Sequence, residues 1–386
     1  MSQNHSPRRH GDTERGSLRT EGNSKTLKIL VRVPNWLGDT LMSTPAVTAV
    51  RRMFPQAHLT ILAKPVFEDF WKNFPGVDDF IPVEKGWKGY WATAAWIKAG
   101  KFDKALVLPT SFSSAFLLFL GEVPERIGWG GEGRDLFLTQ VVPQADARQR
   151  HLVAEYLALV QKGLGRPLRD RTAALHCPVP QEAKAGLQRV WKDMGVPQKG
   201  SYIALAPGAT YGPAKRWPLA YWKELMGLLL AERKENLLIL GGLEEEAYLK
   251  PLTEGWDAKR EGRIHLLAGR TTPSILGAML ARCRLLITND TGPMHVAAGV
   301  GTPTVSLFGS TSPDWTRPFG KGHEVIYKHL ECSPCFQRTC PIGYKCLHAI
   351  SVNEVHRTVL KKLKGRGKIG PEIIAPRAGN SAKLST

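Results

Sequence analysis

The residues best equipped for chemistry sit in three short turns. Residues 288–295 read Thr288-Asn289-Asp290-Thr291-Gly292-Pro293-Met294-His295, between the apolar run Leu285-Leu286-Ile287 and the helix-forming run Val296-Ala297-Ala298. A helix start leaves its first N–H groups unpaired and carries the positive end of the helix dipole. A phosphate placed at Asp290, Thr291 and Gly292 would find donors there, and His295, one turn on, would add another. The same letters also spell an ordinary N-cap, with Asp290 or Thr291 capping and His295 at the surface.

The second turn is Pro34-Asn35-Trp36-Leu37-Gly38-Asp39, between an apolar run and a helical one. It puts Asp39 at or near a helix N-cap, where a carboxylate is favoured as the anion. That suits a general base that stays ionised at neutral pH, and it suits plain capping equally. The third turn, residues 207–218, offers close backbone approach at Gly208 and Gly212, a hydroxyl at Thr210 and a point charge at Lys215 for a diphosphate. A solvated basic loop is the alternative. With no Gly-Lys-Ser/Thr anywhere, it is not a Walker A loop.

Two further clusters are weaker. Gly128, Gly130 and Gly133 fit the dinucleotide fingerprint by letter, but no clear strand precedes them and no helix follows, so no nicotinamide site is expected. Cys332, Cys335, Cys340 and Cys346 crowd into fifteen residues. In a reducing compartment such a group would hold a structural Zn²⁺ or, less readily, an Fe–S cluster, though disulfides and free thiols stay open. Four protein ligands would leave no open position for catalysis. His-Glu-x-x-His, Gly-x-Ser-x-Gly and Asp-x-Asp motifs are all missing, so a nucleotide-diphosphate site here would neutralise phosphate with protein groups.

The elements that position these turns alternate. Strand-like runs lie at residues 28–33, 59–62 and 105–108, with helical patterns at 40–52 and 152–162. A second series follows, with strands at 202–206, 236–240, 285–287 and 304–308 and helices at 220–233 and 275–281. Short apolar runs between amphipathic helices predict parallel sheets covered on both faces, an α/β fold of two Rossmann-like domains. The expected division is a tail at 1–24, an N-terminal domain over 25–180 and a C-terminal domain over 181–350. A helix over 351–364 and a basic tail over 365–386 complete it. In open α/β sheets ligands sit at the carboxyl ends of strands, so the three turns should face one cleft.

At 386 residues the chain can bury two cores, and 42% apolar with 23% charged residues is the balance of a globular protein. Neither an apolar span of membrane length nor a signal-peptide core is visible, which predicts a cytoplasmic chain. The net charge is +19, of which +1 falls on residues 1–24 and +6 on 361–386, leaving a body of +12. So basic a body suggests an acidic partner: nucleic acid, phosphorylated small molecules or an anionic membrane surface. A nucleic-acid-binding protein is the rival reading, but no reader motif supports it, and none is expected to bind.

Together, Asn35-Trp36-Leu37-Gly38-Asp39, the Pro207-Gly208-Ala209 to Lys215-Arg216-Trp217-Pro218 segment and Asn289-Asp290-Thr291-Gly292-Pro293-Met294-His295 resemble glycosyltransferase family 9, the lipopolysaccharide heptosyltransferases. Leu108-Pro109-Thr110-Ser111-Phe112 and Arg126-Ile127-Gly128-Trp129 to Arg134 add to the likeness, which spans about residues 27–360. The resemblance implies a GT-B architecture, two parallel sheets facing a central cleft, and an inverting transfer of heptose from ADP-heptose that requires no cofactor or metal. It implies Asp39 as general base, and Thr210, Lys215, Asp290, Thr291, Gly292 and His295 around the nucleotide sugar. The implied acceptor is the lipopolysaccharide inner core, a heptosyl-Kdo-lipid A, or that of the first- or third-heptose relatives. Ser111, Arg126 and Arg134, with Arg51 and Arg52, are its implied contacts. It places the enzyme peripherally on the cytoplasmic face of the inner membrane, with the helix at 351–364 crossing back onto the N-terminal domain.

Overall fold

A computed structural model describes Met1 and residues 26–144, 148–168, 172–365 and 372–373. The tails expected at 1–24 and 365–386 lie outside these, apart from Met1, Gly365 and residues 372–373. The first unit comprises β1 (Lys28–Arg32), α1 (Leu37–Met53), β2 (His58–Ala63), α2 (Glu68–Lys72), β3 (Asp79–Pro82), α3 (Gly86–Gly100), β4 (Lys104–Val107), α4 (Phe112–Leu120), β5 (Glu125–Trp129), β6 (Gln140–Val142) and α5 (Leu152–Gly163). Its six strands are all parallel, in the order β3-β2-β1-β4-β5-β6. A two-residue strand, β7 (Thr172–Ala173), leads into the second unit and pairs antiparallel with β14 (Glu372–Ile373).

The second unit comprises α6 (Gln181–Asp193), β8 (Tyr202–Ala206), α7 (Leu219–Glu232), β9 (Asn236–Ile239), α8 (Glu246–Leu249), α9 (Ala258–Glu261), β10 (Ile264–Leu266), α10 (Pro273–Leu280) and β11 (Leu285–Asn289). After these come α11 (Gly292–Val300), β12 (Thr304–Leu307), α12 (Pro313–Thr316), β13 (Glu324–Ile326), α13 (Lys345–His348) and α14 (Val352–Lys364). Its sheet runs β10-β9-β8-β11-β12-β13, again parallel, so each unit reverses strand order beside its first strand. Tyr202, Ile203, Ala204, Leu205, Leu285, Leu286 and Ile287 are all buried, because helices cover both faces of the sheet.

The units meet through α1 and α11. One hydrophobic cluster runs without a break from Val31, Leu41 and Val47 to Met279, Val296 and Ala297, so the interface is core rather than a hinge filled with water. Pro45 interrupts α1 and cannot donate to the Leu41 carbonyl, and Thr44 fills that role: its hydroxyl donates to Leu41 O at 2.7 Å. The same hydroxyl accepts from the His176 N–H at 3.1 Å, and the next amide, Cys177, donates to Gly299 O at 3.1 Å. Farther along, His151 at the head of α5 meets the Arg317 carbonyl at 2.9 Å.

One expectation is corrected. The helix over 351–364 does not cross to the N-terminal unit; α14 packs through Val352, Val355, Val359 and Leu363 onto α7 and the outer face of the second sheet. Its apolar stripe matches that face, and Lys362–Glu324 (3.1 Å) and Lys328–Glu354 (2.6 Å) flank it.

Candidate active site

The turns after β1, β8 and β11 open into one cleft of about 540 Å³. Trp36, Gly38, Asp39, Met42, Phe67 and Arg148 line it from the first unit; Thr210, Tyr211, Lys215, Asp290, Thr291, Gly292 and His295 line it from the second. β8 and β11 are neighbours at the reversal of strand order, where the strand ends splay and leave a crevice. The three turns picked from sequence are therefore brought together, from positions 39, 215 and 290.

Asp39 lies in the first turn of α1, three residues beyond Trp36, which holds the N-cap position. The expectation that the helix start keeps this carboxylate ionised is also revised. Burial pushes its pKa up to about 6, with Lys215 opposing the rise and Asp290 adding to it. Desolvation outweighs the dipole because Asp39, half-buried in the cleft wall, is surrounded by protein from both units. Tyr156 on α5, whose own pKa burial and Asp39 both raise, stays protonated.

Lys215 is already paired. Its Nζ lies 2.5 Å from Asp290 Oδ2, which also accepts from the Thr311 hydroxyl at 2.6 Å, while Thr316 reaches Oδ1 at 3.5 Å. Asp290 is buried. A carboxylate repels phosphate, so Asp290 serves an anion site indirectly, by holding Lys215 in place. The anion donors proper are Lys215 and the N–H groups at the head of α11, which starts at Gly292 after an extended Thr291.

His295 is neither exposed nor cationic. It is buried against α1, and desolvation takes its pKa down to about 3. Its Nδ1 is buried and has no partner among the described residues, so a neutral imidazole with one unused position lies in the cleft wall. The Cα of Gly38 packs against this ring: a Cβ there would fall 2.8 Å from His295 Cδ2. Gly38→Ala should therefore push α1 from α11 and lower turnover about tenfold while the chain stays folded, measured by steady-state kinetics beside thermal melting. Unchanged kinetics would mean that the ring yields freely.

Several cleft residues escape the sequence reading. Leu240, Gly241 and Gly242 follow β9, Thr271, Thr272 and Pro273 lead into α10, Thr311 follows β12, and Glu245 is buried beside Arg216 at 3.7 Å. Their signal was positional: each follows, or lies close after, a strand's carboxyl end. Phe336, from the cysteine-bearing loop, completes the wall, with the Arg148 guanidinium 4.1 Å above its ring from the opposite unit. That loop is bolted to the Lys215 turn by Tyr211 Oη donating to Phe336 O at 2.7 Å and Ala214 N donating to Arg338 O at 3.0 Å. A Cβ on Gly212 would come 2.5 Å from Arg338 O, so only glycine lets the two strands of chain pass.

Other expected residues lie apart from this cleft. Cys332, Cys335, Cys340 and Cys346 are free thiols, and among the described residues no group of three or more His, Cys, Asp or Glu is arranged to hold a metal. Backbone and hydroxyl contacts secure the loop, such as Phe336 N donating to Ser310 O at 2.7 Å and Ser333 Oγ to Tyr327 Oη at 3.1 Å. The expected acceptor contacts Ser111, Arg126 and Arg134 do not line the cleft. Ser111 pairs with Ser114 at 2.8 Å, and Arg126 donates to Phe137 O at 2.6 Å. Arg134 is buried with Nε and Nη1 unpartnered. Arg51 is spent on Gly76, Ala57 and Asp78. The Gly128 to Gly133 stretch does follow a strand, β5, but Asp135 accepts from the Gly131 N–H at 3.0 Å and fills the turn.

Comparisons with known proteins agree with this geometry. Residues 91–345 match the family described as glycosyltransferase family 9 (heptosyltransferase). The chain is 32% identical to lipopolysaccharide heptosyltransferase 2 of Salmonella typhimurium over 78% of its own length and 88% of the relative's. To lipopolysaccharide heptosyltransferase 1 of Pseudomonas aeruginosa it is 28% identical, over 81% and 87%. The solved structure of the E. coli ADP-heptose LPS heptosyltransferase II superposes with a TM-score of 0.74 at 27% identity, covering 88% of this chain and 99% of that one.

Proposed function

The chain belongs to glycosyltransferase family 9, the heptosyltransferases, with the two-sheet GT-B fold, and we propose that its cleft moves a heptose from ADP-heptose onto a heptosyl-Kdo-lipid A acceptor of the lipopolysaccharide inner core. The greater identity to a second-type than to a first-type relative supports that acceptor over the one lacking a heptose. Asp39 takes the proton of the acceptor hydroxyl as its oxygen attacks the anomeric carbon. The bond from that carbon to the diphosphate oxygen breaks, and ADP leaves with the electron pair. Lys215 and the α11 N–H groups at Thr291 and Gly292 receive the charge, with Thr210 and neutral His295 as further polar contacts. Base and leaving group then lie on opposite units, which favours inversion at the anomeric carbon. Protein cations and helix N–H groups carry the diphosphate charge in this reading, so the transfer is proposed as metal-independent.

The observation that carries the proposal is a carboxylate with its pKa at about 6 in the same cleft as a buried Lys215–Asp290 pair 2.5 Å apart. A base poised near the operating pH is the most effective one. Among the described residues no helix is long and apolar enough to cross a membrane, so a lipid-linked acceptor would be met peripherally, at the cytoplasmic face of the inner membrane. The deciding assay incubates the chain with ADP-heptose and Kdo-lipid A, with and without a first heptose, and reads products by mass spectrometry. The expected gain is one heptose on the heptosylated acceptor. Gain only on the bare acceptor moves the chain to the first-heptose reaction, and no gain on either refutes the donor assignment.

A further inference from the structure

Half of the large exposed apolar side chains gather on one part of the first unit. Trp87 (72% exposed), Trp91 and Trp96 stand on α3, Phe112 and Phe119 on α4, and Leu136 (80%) on the loop that follows β5. Trp87 and Trp91 are four residues apart and meet edge to face at 5.5 Å, so they share one side of α3. Two contacts join that side to α4: Tyr90 stacks on Phe116 at 6.4 Å, and Lys98 pairs with Glu122 at 2.5 Å. Phe112, Phe116, Phe119 and Phe137 then continue in ring contact, stacked, tilted or T-shaped, with centroids 5.0 to 6.3 Å apart. The result is one aromatic face across two helices, far more than single exposed residues need explained.

Its chemistry narrows the partner. Lys85, Lys88 and Lys101 are exposed at the two ends of α3 without an ion pair among the described residues, while Lys98 and Glu122 pair with each other, half-buried Glu84 lies beside Gly89, and Glu132 and Asp135 lie on the Leu136 loop. Tryptophan beside lysine is the pairing that favours a bilayer interface, where the ring sits among headgroups and the ammonium meets anionic lipid. The position fits too. α4 starts straight after β4, which pairs with β1, so Phe112 lies one strand from the turn that carries Asp39. A surface bound through this face would hold the cleft mouth near lipid headgroups.

We propose that the aromatic face of α3 and α4, centred on Trp87, Trp91 and Phe119, docks this chain onto an anionic phospholipid bilayer. The inference rests on the proposed lipid-linked acceptor only for its purpose. The test is flotation with phosphatidylcholine vesicles, with and without phosphatidylglycerol. The wild-type chain should float with the anionic vesicles. Trp87→Ser/Trp91→Ser/Phe119→Ser should lose at least about tenfold in bound fraction with unchanged ADP affinity by calorimetry. Lys85→Glu/Lys88→Glu/Lys101→Glu should lose the preference for anionic over neutral vesicles. The proposal is overturned if the wild-type chain does not float or if the aromatic triple variant floats as well. It is equally overturned if sedimentation shows a dimer that the triple variant abolishes, since the face would then cover a second copy. Transfer to a deacylated, soluble acceptor separates the two readings: activity there without flotation sinks the docking face alone, and flotation without any transfer sinks the reaction alone.

Discussion

Asp39→Asn should lose about 10² to 10⁴ in turnover, keep its ADP affinity, and melt higher than the wild type at pH 7.5. The loss of turnover follows from removing the carboxylate proposed to take the acceptor proton. The higher melting temperature follows from linkage. Asp39 keeps its proton to about pH 6 in the folded chain and to about 3.9 when unfolded. Between those values the folded state binds more proton than the unfolded one, so this group's contribution to stability falls as pH rises through the window. At neutral pH the ionised carboxylate then costs about 1–3 kcal/mol, which asparagine does not. His295 acts oppositely: its pKa, lowered to about 3, makes the folded state bind fewer protons and lose stability as pH falls below about 6.5. Both groups titrate in overlapping ranges, so the wild-type melting curve alone mixes them. The difference between wild type and Asp39→Asn isolates the carboxylate, and it should widen from pH 4 to pH 7. The wild-type kcat/KM should rise with pH along a limb centred near 6, and that limb should vanish in the variant. A variant with full turnover removes Asp39 as the base.

How much of this was legible in the chain differs by level. Parallel strands covered on both faces must be apolar throughout, so the runs at Tyr202–Ala206 and Lys28–Arg32 announce themselves. α3 was missed because Gly86, Gly89 and three exposed tryptophans erase the contrast between its faces, and β5 because Gly128 and Arg126 break a five-residue run. The site's members were visible as turns, since helix starts after strands have recognisable letters. Their electrostatic states were not. Asp39 and His295 are 256 positions apart, and the burial that shifts both arises only when α1 packs on α11. The fate of Arg126 and Arg134 was hidden for a related reason, because backbone carbonyls that claim guanidinium groups leave no mark in sequence.

Lys215→Ala should have the other large effect, and on two quantities that can be separated. Its ammonium lies 2.5 Å from Asp290 in a buried setting, and truncation leaves that carboxylate with only the Thr311 and Thr316 hydroxyls. An uncompensated buried charge of this kind typically destabilises by about 3–5 kcal/mol. The lysine is also a cation beside Asp290, just before the head of α11, so ADP affinity should fall about 10- to 100-fold. The two losses have different origins, and Asp290→Asn in the Lys215→Ala background tells them apart. Neutralising the stranded carboxylate should restore most of the stability, because neither buried charge then remains. It should not restore ADP binding, because the phosphate still lacks its cation. Chemical denaturation gives the first measurement and calorimetry with ADP the second. If the double variant binds ADP as the wild type does, Lys215 serves the fold alone, and the leaving-group charge falls to the α11 N–H groups at Thr291 and Gly292.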